Sequence, residues 1–316
     1  MPPPLLDYNT FPHIIDLIVS HTPWPTRAVW GRTCKRLRAR LLAKQYEHVI
    51  LFGCFGQELF FRTATLASCP IHMVNVNPQA VDSEVSRIKL YTAFTKVIEV
   101  TGFIQPSEEM EHLTLAFPNV ETYRTNTRWA ERDTEHTTQF PVPCNTLVLF
   151  CSERINQDSP RYASCCKVPA GVTKLVLNMR GGNGRIIEHF NVFNLPNTVR
   201  DVVVVFPWFK HNARAGTFQT SIDKSQIVKD FVLLLTRGTP KIHYTLVGLN
   251  EASPPYELGI ALYCELVKHF DPTIKNLYPD IARILRHVRL CTLEEYAGEV
   301  DNIETEVVEY IGGDDC

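Results

Sequence analysis

The glycine-rich stretch at 181–185, Gly-Gly-Asn-Gly-Arg, is one place where the sequence could bind a reactive ligand. It follows a predicted strand and precedes a segment with room for a helix, which is where backbone N–H groups can bind a phosphate. The Lys-Ser/Thr pair of a P-loop and the full G-x-G-x-x-G pattern are both missing. Glycines are also expected wherever a strand turns sharply into a helix. We interpret the stretch as a tight turn, and a nucleotide-binding α/β enzyme is the alternative.

Two adjacent cysteines are a second candidate for chemistry. Cys165 and Cys166 could act as nucleophiles if His189 or His211 lay beside them. No motif surrounds them, and the sequence contains no H-E-x-x-H, C-x-x-C or G-x-S-x-G pattern. The sequence therefore predicts no catalytic residue, no metal site and no cofactor. We interpret the chain as a protein that is not an enzyme.

Charge restricts the class of partner. The 316 residues carry 32 bases and 34 acids, a net charge of -2, which argues against a surface built to bind phosphates or anionic lipid. Bases without acids occupy 27–44, whereas 294–316 contains acids and no base. A loop of aromatic and basic residues at 207–214 could contact an acidic or nucleic-acid partner, or be half-buried. We expect neither a nucleic-acid nor a membrane partner.

The ten cysteines are dispersed, without the short paired spacings of a disulfide-rich domain or a zinc site. The first residues lack the basic and apolar runs of a secretory signal. No apolar stretch reaches the roughly 20 residues that a membrane span requires. We therefore expect reduced thiols and a cytoplasmic or nuclear location.

Short amphipathic helices are predicted in the first 45 residues. Pro12 suits the first turn of a helix, and an apolar stripe follows it up to the proline-containing turn at 21–25: Ile14, Ile15, Leu17 and Ile18. Thr26 can cap a second helix, in which a stripe recurs every three or four residues: Val29, Trp30, Thr33, Leu37 and Leu41. Helices this short must pack on the rest of the chain or on a partner.

This region resembles an F-box, particularly the divergent kind common in large fungal families. The resemblance is carried by Phe11-Pro12, by the two apolar pairs at 14–15 and 17–18, by Val29-Trp30 and by the basic run at 32–38. In that family the proline and the apolar stripe dock on a Skp1-type adaptor. The resemblance implies a Skp1-like partner and the following partner-binding residues: Phe11, Pro12, Ile14, Ile15, Ile18, Trp30 and Leu37.

An internal repeat organises the larger part of the chain. Three prolines, at 141, 169 and 196, lie 28 and 27 positions apart. Apolar residues follow each proline six and eight positions later: Leu147 and Leu149, Leu175 and Leu177, Val202 and Val204. These alternating triplets predict strands, with room for a helix or turn between them. Parallel strands connected in this way stack into a curved solenoid of the leucine-rich-repeat type.

Weaker copies extend the repeat in both directions. Strands are predicted at 49–52, 73–76, 97–100, 113–115 and 242–246, and helices at 226–235, 256–270 and 281–285. The regular asparagine of standard leucine-rich repeats is not kept, so we expect an irregular solenoid. A more conventional α/β sheet is the alternative fold.

The predicted fold class is therefore α/β, with an F-box-like helical module at 1–47 and an irregular leucine-rich-repeat-like solenoid, with C-terminal capping helices, at 48–316. The resemblance implies a substrate-recognition adaptor of a Skp1–cullin type ubiquitin ligase, which binds a Skp1-like protein through its N-terminal helices and a target protein through its repeats. A repeat-domain scaffold without a ubiquitin role is the alternative.

Overall fold

Helices frame a long run of strands. The computed structural model describes residues 12–22, 24–32, 35–53, 59–63, 71–72, 92–101, 117–126, 143–152, 168–180, 195–206, 224–237, 241–249, 255–270, 277–300, 303 and 306. The helices are α1 (Pro12–His21), α2 (Trp24–Trp30), α3 (Lys35–Tyr46), α4 (Lys224–Arg237), α5 (Pro255–His269), α6 (Leu277–Leu285) and α7 (Leu293–Ala297). The strands are β1 (His48–Gly53), β2 (Leu59–Thr63), β3 (Ile71–His72), β4 (Val97–Thr101), β5 (Thr122–Asn126), β6 (Thr146–Ser152), β7 (Lys174–Arg180), β8 (Asp201–Val205), β9 (His243–Val247) and β10 (Val288–Cys291). None of the helices in these ranges combines the length and the apolar character that crossing a bilayer requires.

The N-terminal region contains three helices where the sequence pattern predicts two. The second predicted helix is divided, because α2 ends at Trp30 and α3 begins at Lys35. Gly31 follows α2, and its N–H still bonds to the carbonyl of Arg27 at 2.9 Å. A glycine directly after a helix is a common stop signal, and it overrides the apolar spacing that continues past it.

All ten strands of the described chain form one sheet, in the order β10-β9-β8-β7-β6-β5-β4-β1-β2-β3. From β1 and β4 through to β10, each strand pairs in parallel with the next. The strands β2 and β3 continue the sheet beyond β1 in antiparallel pairs. The prediction of an α/β fold with parallel strands is confirmed, and the solenoid stays a prediction.

The repeat alignment is reproduced in the register of the sheet. Leu147 of β6 pairs with Leu175 of β7, and Leu175 pairs with Val202 of β8. All three side chains are fully buried. The loops before β7 and β8 also match, because the N–H of Val172 bonds to the carbonyl of Pro169 just as Val199 bonds to Pro196. The third proline of the alignment, Pro141, lies outside the described residues.

A chain of shared carbonyls connects the strand starts. The carbonyl oxygen of Lys96 accepts two N–H groups, from Glu121 and Thr122, at 2.8 and 2.9 Å. In the same way Glu121 accepts from Asn145 and Thr146, Asn145 from Thr173 and Lys174, and Thr173 from Arg200 and Asp201. Each turn of the chain is thereby joined to the next by its backbone.

The main core lies on one face of the sheet, which we call the helix face. The strand residues on this face pack with apolar residues of α3, α4, α5 and α6, which include Leu42, Phe231, Leu262 and Ile281. Phe231 of α4 meets Tyr244 of β9 edge to face, with 6.0 Å between the ring centroids. Burial of this face explains why valine and leucine dominate the strand centres.

The opposite face is also buried, and it is covered in part by the C-terminal segment. Leu293, Val300 and Ile303 pack against a second apolar cluster that lies on the central strands: Val148, Phe150, Val176, Val203, Val205 and Val247. Gly248 ends β9 with φ of +86°, and a Cβ there would come within 2.7 Å of the carbonyl oxygen of Phe206. This close approach of two backbones excludes any other residue.

Most of the sequence-predicted elements are found with somewhat longer bounds. The predicted strands at 49–52, 97–100 and 242–246 correspond to β1, β4 and β9, and the three predicted helices correspond to α4, α5 and α6. The predicted strands at 73–76 and 113–115 lie outside the described residues. The sequence pattern missed β2, β3, β5 and β10 and the short helix α7.

Candidate protein-binding surface

The residues implied by the F-box resemblance lie on all three N-terminal helices. Pro12 begins α1, whereas Phe11 lies outside the described residues. Ile14 and Ile15 of α1, Trp30 of α2 and Leu37 of α3 are half-buried, and Ile18 is exposed.

A short turn holds α1 against α2. The guanidinium Nε of Arg27 donates to the carbonyl oxygen of Thr22 at 2.6 Å, and the hydroxyl of Thr22 donates to the carbonyl of Ile18, also at 2.6 Å. Both contacts satisfy carbonyl groups at or just after the end of α1, which would otherwise lack a partner within the helix. The relative placement of α1 and α2 is therefore fixed by polar contacts around residues 18–27.

Large apolar side chains remain exposed on these helices. Leu17 and Ile18 of α1 are 61% and 42% exposed, and Val29 of α2 is 58% exposed. We call these three residues the N-terminal apolar surface. The resemblance did not place Leu17 or Val29 among the partner-binding residues, although both belong to the apolar stripes of the sequence. Exposed aliphatic side chains on adjacent helices are a feature of protein-interaction sites.

A basic groove separates α2 from α3. It has a volume of about 340 Å³ and is lined by Arg27, Gly31, Arg32, Arg38, Leu41, Leu42 and Gln45. Its walls therefore combine positive charge with an apolar floor. The only charged side chains that line it are basic, as expected from a segment that contains no acid between 27 and 44.

The third helix anchors this region to the sheet. Leu41 and Tyr46 of α3 are buried, and Tyr46 belongs to the main core. The hydroxyl of Thr95, at the start of β4, donates to the carbonyl of Tyr46 at 2.9 Å. Within the described part of the chain, neither core cluster includes a residue of α1 or α2. The first two helices thus stand outside the core that α3 joins.

A buried charged cluster lies on the opposite face of the sheet, near β1. Arg124 and Glu99 face each other across β4 and β5 with 3.4 Å between Nη2 and Oε2, and both are essentially unexposed. Glu99 Oε2 also lies 3.3 Å from Nε2 of His48, and the guanidinium of Arg124 stacks over the Phe150 ring at 4.9 Å. Burial lowers the pKa of His48, and the adjacent Arg124 adds to this effect while Glu99 opposes it. Because a ligand cannot reach these groups, we interpret the cluster as structural.

A second polar cluster fastens the C-terminal segment. The carboxylate of Glu306 accepts from Nζ of Lys174 and from the hydroxyl of Tyr296, each at 2.5 Å. The amide of Asn178 donates to the backbone carbonyl of Glu306 at 2.8 Å, and Lys174 Nζ lies 5.4 Å from the centre of the Tyr296 ring. Burial and the neighbouring Glu306 raise the pKa of Tyr296, so its hydroxyl stays a donor. This cluster also serves structure.

The sequence candidates for chemistry fall outside the described residues. The stretch at 181–185, the pair Cys165-Cys166 and the loop at 207–214 all lie there, so their interpretation stays a prediction. In the ranges that are described, no group of three or more His, Cys, Asp or Glu residues could hold a metal ion.

Three cysteines within the described ranges are free thiols, which agrees with the predicted reduced state. Cys144 and Cys291 are buried and Cys264 is exposed. Burial raises the pKa of Cys144 to about 11, which disfavours the reactive thiolate.

Comparison with known proteins leaves the assignment to the geometry. The chain matches no protein-family model, no curated protein and no solved structure.

Proposed function

We propose that this protein is a substrate-recognition adaptor of a Skp1–cullin type ubiquitin ligase, which works in the cytoplasm or nucleus. The proposal places a Skp1-like protein on α1 and α2 and a target protein on the sheet domain. The observation that carries it is the N-terminal apolar surface: Leu17, Ile18 and Val29 are exposed on helices that lie outside the core. The F-box resemblance of the same residues supplies the identity of the partner.

The sheet domain supports the second half of the proposal. The carbonyl acceptors at the strand starts, Lys96, Glu121, Asn145, Thr173 and Arg200, lie 25, 24, 28 and 27 residues apart. These spacings agree with the 20 to 29 residues of leucine-rich repeats. We therefore propose that the domain is an irregular solenoid of this type. Solenoids of this kind provide extended surfaces for binding other proteins.

A direct test is calorimetric titration of a purified Skp1-like protein into the intact chain. In the double variant Leu17→Lys/Ile18→Lys, the affinity should fall at least about 30-fold, because charges enter a desolvated apolar contact. The melting temperature should stay nearly constant, since both side chains are exposed. A matched control is Phe94→Lys, which changes an apolar side chain of similar exposure (43%) next to β4 and should bind normally.

The absence of binding heat from the wild-type chain would contradict the adaptor role. The alternative, a repeat-domain scaffold whose N-terminal helices only cap the sheet, predicts that result together with a large loss of melting temperature in the double variant. The two outcomes are distinguishable because titration and melting are measured on the same proteins.

A further inference from the structure

Helix α5 is apolar on two sides. Leu258, Leu262 and Leu266 lie on one side and are buried in the main core. Tyr256, Ile260 and Tyr263 lie on the other side and are 66%, 59% and 36% exposed. At about 100° per residue, these three fall within an arc of about 60°. We call them the α5 stripe.

The composition of the α5 stripe is typical of an interface. Tyrosine is enriched among the residues that contribute most to binding, and side chains spaced by four and then three residues form the seam of paired helices. Gly259 lies beside the stripe, and an added Cβ there would meet no neighbouring atom within 4 Å. Glycine weakens a helix interior relative to alanine, and packing within this chain does not require it here. A close approach by another molecule would.

The charges that flank the stripe identify the partner. Glu257 and Lys268 lie on the same flank of α5, about 60 to 80° from Ile260. When two identical helices pack antiparallel about a two-fold axis, the same flank of each faces its counterpart. With the axis at the level of residues 261–262, Ile260 meets Tyr263 of the other copy, and Glu257 lies about 3 Å along the axis from Lys268 of the other copy. The lysine side chain can span that offset. The ammonium of Lys268 is 72% exposed and lies 3.1 Å from Glu265 of its own helix.

We propose that the protein forms a two-fold symmetric dimer, in which α5 of one copy packs antiparallel on α5 of the other through the α5 stripe. The helix has 15 residues and is therefore about 22 Å long. A contact of this length lies at the small end of specific interfaces, so the dimer should dissociate at about 10–100 µM. The dimer does not depend on the Skp1-like partner, because it uses a different part of the chain.

The experiment is sedimentation equilibrium of the full chain from about 1 to 300 µM. The wild-type protein should shift from monomer to dimer over this range, and Ile260→Lys should remain monomeric. The control Ile18→Lys changes an exposed isoleucine on α1 and should dimerise like the wild type. Melting curves on all variants should coincide, because each change is on the surface.

Exchange of the flanking charges tests the antiparallel arrangement. Glu257→Lys and Lys268→Glu should each weaken the dimer several-fold, because like charges then face each other twice in every dimer. The double variant Glu257→Lys/Lys268→Glu should restore it. A wild-type chain that stays monomeric at 300 µM would overturn the proposal, and so would a double variant that dimerises no better than the single ones.

Discussion

The residues that are hardest to account for are the charged ones inside the sheet. Arg124 and Glu99 occupy strand positions that in β6, β7 and β8 hold valine. A buried ion pair of this kind is not expected to stabilise the fold more than apolar residues would, whereas removal of one member typically costs about 3–5 kcal/mol. Its value lies in register, because the arginine finds the carboxylate only when β4 and β5 pair as they do.

His48 gives this cluster a measurable pH dependence. Its pKa in the folded protein lies below the ordinary value of 6.5, so between these two values the unfolded chain binds a proton that the folded chain does not. Stability should therefore be complete above about pH 6.5 and decline as the pH falls below it. Urea midpoints at pH 7.5 and 5.5 should differ less for His48→Gln than for the wild type. The control His13→Gln, an exposed histidine on α1, should leave the difference unchanged, and equal differences in all three proteins would refute this role for His48.

At the scale of elements, the recurring rows of the sheet are the dominant feature. Leu147, Leu175 and Val202 form one row on the helix face, and Val148, Val176 and Val203 form a row on the opposite face. Both rows are buried, as is usual where parallel strands are covered on two sides. Each strand therefore depends on packing from above and below.

Substitution in either row should unfold the domain. A carboxylate in Leu175→Asp or Val176→Asp would be buried without compensation, at a cost of several kcal/mol against a total stability of about 5–15 kcal/mol. Ala170→Asp, in the exposed loop just before β7, should have little effect. Circular dichroism melting curves measure the difference. Cooperative, near-native melting of both buried variants would show that the row alignment does not describe the fold.

The sequence predicts some elements and not others for a physical reason. The strands β6, β7 and β8 carry alternating apolar triplets, so their pattern is visible locally. The strand β5 reads Thr-Tyr-Arg-Thr-Asn, and its arginine is accommodated only by Glu99 of the neighbouring strand. Such a long-range partner leaves no local signal. The break between α2 and α3 had one in Gly31, which the apolar spacing across it outweighed.

The candidate surface was predictable to a similar degree. The helical stripes and the F-box resemblance located the region, whereas the exposed members of the stripes, Leu17 and Val29, depend on how the helices pack. Periodicity identifies the apolar face of a helix but not which of its residues contact the protein's own core. The α5 stripe was hidden for the same reason, because a helix with apolar residues on two sides reads as one buried helix.

At the scale of the whole molecule, the C-terminal segment connects distant parts of the chain. Glu306 reaches back 132 positions to Lys174, and α7 contributes Tyr296 to the same cluster. A capping box begins α7, in which Thr292 and Glu295 bond each other's backbone N–H groups. This fixes the direction in which the segment crosses the opposite face of the sheet.

Loss of the Glu306 carboxylate should destabilise the whole domain. Glu306→Ala leaves the buried hydroxyl of Tyr296 and the ammonium of Lys174 without this acceptor, at a cost of about 1–3 kcal/mol. The comparison is Arg289→Met, which breaks a bidentate pair with Glu299 whose side chains are about half exposed, and should cost at most about 1 kcal/mol. Guanidinium midpoints should therefore fall much further for Glu306→Ala. Equal shifts would show that the segment is not held by this cluster.

The shared carbonyls at the strand starts also bear on how such a protein can change over generations. Because each joint is made by backbone atoms, it places no demand on side chains, and the chain between two joints already varies from 24 to 28 residues. Connecting loops can therefore diverge in length and sequence while the joints persist. A gene encoding this architecture can gain or lose a turn by unequal crossing-over, and the recognition surface can diversify without a new fold.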